Sequence, residues 1–239
     1  MEKVSILIPV YNRESLILKT LNSVFNQSYG NIEVILYDDG STDNSVNIIK
    51  ESEYYNKIKL IECSENKGVG YARNILMSKS TGDYLCWLDS DDLFVDGRIQ
   101  ECINYIKEDN LDIVYTIIRV FQESNDEIKL GKKINLNTSK YNKNDFSSLR
   151  GNTTCASAFF KRKLKKYKFV EDLHLGSEDV LWLFTILQDN IKIGQLNKQL
   201  YLYRSHSDRI GVKKRKDENQ DKKNIENKKI SEYIKNLTV

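Results

Sequence analysis

Absences narrow the class first. No apolar run approaches the roughly 20 residues that a membrane-spanning helix needs, and the mean hydropathy is −0.54. The four cysteines, Cys63, Cys86, Cys102 and Cys155, lie far apart with no paired spacing. They read as reduced, mostly buried thiols rather than a disulfide or zinc framework. The net charge of +3 is too small for a general nucleic-acid binder. There is no GxGxxG, no Walker GxxxxGK[ST], no internal repeat, and no low-complexity tract beyond a Lys/Asn-rich tail. The opening "MEKVSILIPVYN" has one lysine and no small-residue cleavage site, and it enters a strand pattern at once. It predicts no signal peptide and a cytoplasmic protein.

What is present suits one large domain, or one domain with an appendage: 239 residues, 40% hydrophobic and 30% charged. The charge is uneven. Residues 213 to 239 carry nine Lys/Arg and five Asp/Glu, a net of +4, which leaves the remainder near −1. The tail opens on "KKRK" (213 to 216) and then spaces Ile225, Ile230, Tyr233, Ile234 and Leu237 close to a helical period. Two readings are open: a solvated helix packed on the body, or a basic amphipathic segment resting peripherally on anionic lipid at the inner face of a membrane.

The first half alternates strand and helix patterns. "VSILIPVY", "IEVILYDD", "IKLIEC", "DYLCWLDSDD" and "DIVYTIIRVF" read as strands, with helix-spaced segments between them. That alternation predicts βαβ units: an α/β, Rossmann-like, mostly parallel sheet flanked by helices. Residues 1 to 121 form a ligand-binding half, 122 to 212 a shorter second half with a hairpin and exposed loop, and 213 to 239 a helical tail. "TTCASAFFKRKL" reads as a strand entering a short helix, and "SEDVLWLFTILQ" as a helix capped by Ser177. The "KRKLKKYK" run (161 to 168) is either a solvated face or an attractor for an anionic acceptor.

Parallel sheets bind ligands at the carboxyl ends of their strands, and the chemistry-bearing residues collect there. Pro9, Tyr11 and Asn12 follow the first strand, Asp38 and Asp39 the second, and Asp89, Asp91 and Asp92 the fourth. Crowded carboxylates repel one another, so the last cluster needs a purpose. Hard oxygen ligands in a tight loop suit Mg²⁺ or Mn²⁺ with positions left open for phosphates. The plain alternative is an acidic turn before a helix. Two readings are open for "ILYDDGSTDNS": an ordinary βα loop with Asp43 or Asn44 capping the next helix, or a site where Asp39 accepts a hydrogen bond from a base N–H. In "NKGVGYARN" two glycines permit close backbone approach, and Arg73 is available to a base or diphosphate.

These stretches together resemble a known family. "VSILIPVYNR", "VILYDDGSTDNS", "NKGVGYARN" and "GDYLCWLDSDD" stand in the order and spacing of family 2 glycosyltransferases with the GT-A fold. The likeness is close over the first 120 residues or so and looser through "GSEDVLWL" and "YLYRSHSDR". It implies inverting, metal-dependent transfer of one sugar from a nucleotide-sugar, by default a UDP-sugar, to a glycan or lipid-linked acceptor. Pro9, Tyr11, Asp39, Asn66 and Arg73 would form the base pocket. Asp89 would open the DxD motif at the ribose or the metal, and Asp91 and His206 would hold Mn²⁺ or Mg²⁺. Asp179 would be the general base, with Glu178 at the acceptor and Arg204 at the leaving diphosphate. Residue by residue the plain alternatives remain: Glu178 and Asp179 complement a helix dipole, and Tyr201, Tyr203 and Trp182 belong to the core.

Other classes were weighed. A nucleotidyltransferase would want a glycine-rich loop where "PVYNRES" stands, and an aspartyl-phosphate protein a lysine ending a late strand. A non-catalytic nucleotide-sugar binding module differs by one feature: its Asp179 would face away from the donor pocket.

Overall fold

The computed structural model describes residues 1–124, 127–149, 154–171, 173, 177–206 and 220–237. The basic run at 213 to 216 and the expected boundary at 212 lie outside the described residues. Strand β1 (Val4–Val10) runs parallel to β2 (Ile32–Asp39) on one side and to β4 (Tyr84–Trp87) on the other; β2 runs parallel to β3 (Ile58–Cys63). Helices α1 (Ile17–Phe25), α2 (Ser45–Glu51) and α3 (Val69–Lys79) make the crossovers. Helix α4 (Arg98–Glu108) follows the two-residue β5 (Leu93–Phe94).

Past β4 the sheet becomes mixed. Strand β6 (Ile113–Ser124) forms an antiparallel hairpin with β7 (Glu127–Ile134), while β8 (Phe159–Lys161) lies antiparallel between β4 and β6. Helix α5 (Glu178–Leu187) leads to β9 (Ile193–Arg204), which runs parallel to β6 and antiparallel to β5. The order is β3-β2-β1-β4-β8-β6-β9-β5, with β7 on the flank of β6. Because β6 and β9 point the same way as β1 to β4, their carboxyl ends reach the same edge.

Strand β1 is apolar throughout because both of its faces are covered. Val4, Ile6, Ile8 and Val10 join Leu21 and Val24 of α1 and Ile99 and Ile103 of α4 in one core layer. Leu7 joins Leu76 and Met77 of α3 and Trp182 and Phe184 of α5 in the other. Each such side chain contributes about 1.5–3 kcal/mol on burial. Gly40 is required twice over. Its φ is +71°, and a Cβ there would stand 2.6 Å from the Glu65 carbonyl carbon and 2.8 Å from the Asn66 nitrogen. The turns after β2 and β3 therefore press on each other. All four cysteines are free thiols.

Three local expectations change. Ser177 precedes α5 but its side chain makes no capping hydrogen bond; Asp179 instead accepts from the Val180 N–H at 2.8 Å. The segment after β8 is a 3-10 turn, Arg162–Lys166, rather than an α-helix. The "KRKLKKYK" run sits at the wrong end to meet a substrate, since Lys161 pairs in register with Tyr84 at the start of β4. Most of its cations are also engaged. Lys163 lies 2.7 Å and Lys161 3.5 Å from Asp112, Lys166 lies 3.2 Å from Asp189, Arg162 pairs with Asp83, and Lys165 donates to the Ser80 carbonyl.

The tail forms helix α6 (Gln220–Leu237). Most of its apolar side is already used: Ile230 is buried with Leu173 and Leu181, and Tyr233 and Ile234 pack against them, while Ile225 near its start is 59% exposed. Among the described residues no helix is long and apolar enough to cross a membrane.

Candidate active site

The β4 strand delivers Asp89, Asp91 and Asp92 to the common sheet edge. Asp91 and Asp92 are buried; the Asp89 side chain keeps 26% of its surface exposed. Remote groups offset their repulsion. Arg13 Nη2 stands 3.2 Å and His206 Nε2 3.1 Å from the same Asp91 Oδ2. Arg13 is aimed by its other nitrogen, which donates to the Tyr11 and Asn12 carbonyls at 3.1 and 2.8 Å. Asn12 makes this turn with φ at +52°, in the left-handed region that asparagine tolerates.

Strand β9 grips the same loop from below. The Tyr201 hydroxyl donates to Asp92 Oδ2 at 2.9 Å and accepts from the Asp89 N–H at 3.2 Å. The Arg204 N–H donates to Asp92 Oδ1 and its Nε to the Asp91 carbonyl, each at 2.8 Å. Arg204 Nη1 pairs with Glu123, which also meets Lys19 at 2.7 Å. Its guanidinium lies 4.6 Å from the Phe121 ring centre. Arg204 is thus built into the support of the loop.

At the neighbouring strand end Asp39 is held locally. Its Oδ1 accepts from the Lys67 N–H at 2.8 Å and its Oδ2 from the Gly68 N–H at 2.9 Å. Burial is the largest influence on this carboxyl and raises its pKa above the usual range with help from Asp38; the two N–H donors oppose it. Asp39 therefore shapes the turn that carries the exposed Asn66. Pro9 and Tyr11 are half-buried on the same edge.

Arg73 joins the two halves. It is buried, 5.4 Å from the Phe169 ring centre and 5.7 Å from that of Trp87. Its Nη1 meets Glu178 Oε1 at 3.1 Å and its Nη2 lies 3.6 Å from Asp89 Oδ1. Burial works against its charge, while Cys155, Asp89, Glu178 and Asp179 raise its pKa. Beside it, Asn74 bonds the Phe169 carbonyl at 2.9 Å and N–H at 2.8 Å. Glu178 is accordingly buried against Arg73. Asp179 is half-buried, and its carboxyl is pushed up to about 7, first by burial and then by the Glu178 charge, with Arg73 opposing and Asp89 adding. Its carboxylate thus shares one electrostatic field with the DxD loop.

The structure brings Asp89, Asp91, His206, Arg204, Arg73, Glu178 and Asp179 into one connected network, with Asp39 and Asn66 in the adjoining turns. Sequence reasoning missed Arg13, Tyr201 and Asn74. The signal for Arg13 was available, since it follows β1 at the edge where the other polar residues collect. A shallow cleft of about 350 Å³ between α1 and β5, lined by Lys19, Asn22, Asn26, Phe94 and Asp96, is separate. Asn22 is already bonded by Asn26 and Tyr54, and Asp96 by the Ser28 and Gly97 N–H groups.

The residues around Asp91 fit a divalent cation. Donors at neighbouring corners of an octahedron with bonds of about 2.1 Å stand about 3 Å apart, and Asp91 Oδ2 and His206 Nε2 are 3.1 Å apart. The carboxylate suits Mg²⁺ or Mn²⁺ and the imidazole favours Mn²⁺. Among the described residues there is no cluster of three or more His, Cys, Asp and Glu side chains arranged as a ligand set.

The fold and the cluster of acidic side chains at the carboxyl ends of its strands are those of an α/β enzyme, and the comparisons with known proteins give the family. The chain belongs to glycosyl transferase family 2, whose model matches residues 5–168. An Escherichia coli relative, the UDP-Glc:alpha-D-GlcNAc-diphosphoundecaprenol beta-1,3-glucosyltransferase WfaP, is 32% identical over 232 residues, 91% of this chain and 83% of that one. The crystal structure of Staphylococcus aureus TarS 1–349 in complex with UDP-GlcNAc matches with a TM-score of 0.70 and 24% identity, covering 87% of this chain and 60% of that one. The Pyrobaculum calidifontis mannosyltransferase PcManGT, in complex with GDP-Man and Mn²⁺, matches at 0.61 and 18%, covering 84% and 56%. At these identities the two structures share the GT-A fold. Other curated relatives are longer: the chain spans 29% of an uncharacterized glycosyltransferase of Rickettsia bellii that is 31% identical over 209 residues.

Proposed function

We propose that this chain transfers one sugar from a UDP-sugar to a hydroxyl of a glycan or lipid-linked acceptor, with inversion at the anomeric carbon. The observation that carries the reading is the shared network: one buried arginine, Arg73, lies 3.6 Å from Asp89 of the DxD loop and bonds Glu178 from the other half of the chain, and the charge of Asp179, next to Glu178, acts on the same guanidinium. A binding module has no need of an acid with its pKa held up beside the donor site.

Asp179 takes the acceptor hydroxyl proton as the acceptor oxygen bonds to the anomeric carbon. The bond from that carbon to the diphosphate oxygen breaks, and its electron pair leaves with the nucleoside diphosphate. A base works best with a pKa near the working pH, and burial beside Glu178 brings Asp179 there. Asp91 and His206 would hold Mn²⁺ or Mg²⁺, with Asp89 beside them at the ribose. When bound, the ion supplies positive charge to the departing diphosphate. Arg13 keeps the Asp91 carboxylate oriented, and Tyr201 and Arg204 keep the loop rigid, which reduces the cost of ordering at the moment of reaction. Pro9, Tyr11, Asp39 and Asn66 would line the base.

The first test is a thermal-shift panel of UDP, GDP and CDP, each with and without Mn²⁺. A ligand at a hundredfold excess over Kd stabilises by about 2.7 kcal/mol. The expected result is a shift for UDP that needs the metal and disappears in Asp91→Ala. No shift for any nucleotide would overturn the reading. A shift without turnover of any UDP-sugar by the wild type would leave a binding module.

A further inference from the structure

Two lysine-rich regions differ in a way their sequences do not announce. Four cations of the 161 to 168 run, Lys161, Arg162, Lys163 and Lys166, are paired with acids at the far end of the sheet. Strand β7, "EIKLGKKI", lies at the active-site end and its lysines are not. Lys129, Lys132 and Lys133 are all exposed, and none has an ion-pair partner among the described residues. Lys133 stands directly opposite Arg119 on β6. Like charges facing across two strands are destabilising, so the Arg119–Lys133 end of the hairpin, away from Glu123 and Glu127, carries an excess of positive charge that an external anion would relieve.

The same strand exposes apolar surface. Ile128 and Leu130 are 50% and 53% exposed, among the few large hydrophobic side chains of the molecule left in water. Leu130 is opposite Phe121, which is itself opposite Arg204, the residue that holds the DxD loop. At about 4.8 Å per strand, Leu130 is roughly 10 Å from that support. Lysines on an edge strand blunt unwanted strand pairing, but that purpose gains nothing from exposed isoleucine and leucine. Aliphatic side chains interleaved with unpaired lysines match a membrane interface, where apolar groups enter the acyl boundary and lysines meet anionic headgroups.

We propose that the β6–β7 hairpin is a membrane-docking element that seats the protein on an anionic lipid surface with the DxD edge close to the bilayer. The inference deepens the reading of a lipid-linked acceptor and rests on it for its purpose: the hairpin would hold the site at the height where such an acceptor presents its sugar. It moves the contact away from the C-terminal helix, which packs Ile230, Tyr233 and Ile234 on the body and leaves only Ile225 of its large apolar side chains exposed.

The experiment is vesicle flotation of the full chain, with phosphatidylcholine alone and with phosphatidylcholine mixed with phosphatidylglycerol, at low and high salt. Wild type is expected to float only with phosphatidylglycerol, and less at high salt. Lys129→Gln/Lys132→Gln/Lys133→Gln is expected to lower partitioning about a hundredfold, from roughly 1 kcal/mol per lysine near a charged surface. Ile128→Ser/Leu130→Ser is expected to lower it about tenfold. Both variants change exposed side chains, and each should keep the wild-type melting temperature and the metal-dependent UDP shift. The proposal is overturned if wild type ignores anionic vesicles or if both variants float like wild type. It is equally overturned if only Lys228→Gln/Lys229→Gln/Lys235→Gln on α6 abolishes binding, or if the hairpin variants merely dissolve a self-associated form seen by light scattering. Should the UDP shift be absent while hairpin-dependent flotation persists, the enzymatic reading fails and the docking surface stands.

Discussion

Two acid groups end two nearby strands and are neutralised in different ways. Asp38 and Asp39 are satisfied by their own neighbourhood: Ser41 on one, and the Lys67 and Gly68 N–H groups on the other. Asp89, Asp91 and Asp92 draw on Arg73, Arg13, His206, Tyr201 and Arg204, from every quarter of the chain. A carboxylate fixed by backbone donors forms once its own turn and, for Asp39, the adjoining turn after β3 are in place. One fixed by distant side chains exists only after the whole sheet has closed. The first arrangement suits a shape, the second a charge that must be poised.

Breaking that second group should have the largest effect. Asp91→Asn is expected to lower turnover about a thousandfold, the several kcal/mol of charge stabilisation that a bound cation provides, and to abolish the Mn²⁺-dependent UDP shift measured by calorimetry. Asp179→Asn is expected to lower kcat by 10²–10⁴-fold, on the order of what a general base contributes, while leaving that shift intact. Its pH behaviour sharpens the contrast. The wild-type rate should rise with pH through about 7 as Asp179 loses its proton. The native state holds this proton more tightly than the unfolded chain, whose carboxyl titrates near 3.8. Stability should therefore decline from about pH 4 to pH 7 and level off above, a slope that melting curves of Asp179→Asn should lack.

Arg73→Met leaves Glu178 buried without its partner and should cost about 3–5 kcal/mol in urea unfolding. Adding Glu178→Gln should recover much of the loss; equal losses in the single and double variants would show that the pair is not the link. Tyr201→Phe removes the hydroxyl between Asp92 and the Asp89 N–H. It should cost about 1–3 kcal/mol and weaken Mn²⁺ binding, raising the donor KM more than it lowers kcat. Asp39→Asn keeps one acceptor oxygen and loses one backbone contact, so about 1 kcal/mol of stability is expected. If Asp39→Asn proved as damaging to metal binding as Asp91→Asn, the contrast between the two groups would collapse.

The same contrast explains what was legible in the sequence. Strands β1, β2 and β4 could be read because burial on both faces writes a nearly continuous apolar run, and the ends of β2 and β4 located Asp39, Asp89 and Asp91. The parallel sheet, the β6–β7 hairpin and helix α5 were visible for similar local reasons, although α5 is enclosed on all sides rather than amphipathic. Arg13 and Tyr201 were not, because their roles depend on contacts with residues far along the chain. Tyr201 in particular looks like any core aromatic until its hydroxyl is seen between two aspartates. Nor does composition distinguish the engaged lysines at 161 to 166 from the open ones on β7. The difference lies in Asp83, Asp112 and Asp189, which only the fold brings to the first group. Two-residue β5 carries too little pattern to detect.

The buried guanidinium of Arg73 also bears on inheritance. On the proposed reading the donor is held by residues 1 to 121 and the acceptor by the segment after them, which invites the exchange of halves between relatives within β6. Any such chimaera would bring a foreign α5 and a foreign segment at 169 to 171 against Arg73 and Asn74. Unless the incoming piece carried its own carboxylate for the arginine and a backbone edge for the asparagine, the seam would open at the chemical centre. New specificities in this lineage should therefore arise by drift within each half more readily than by swapping them.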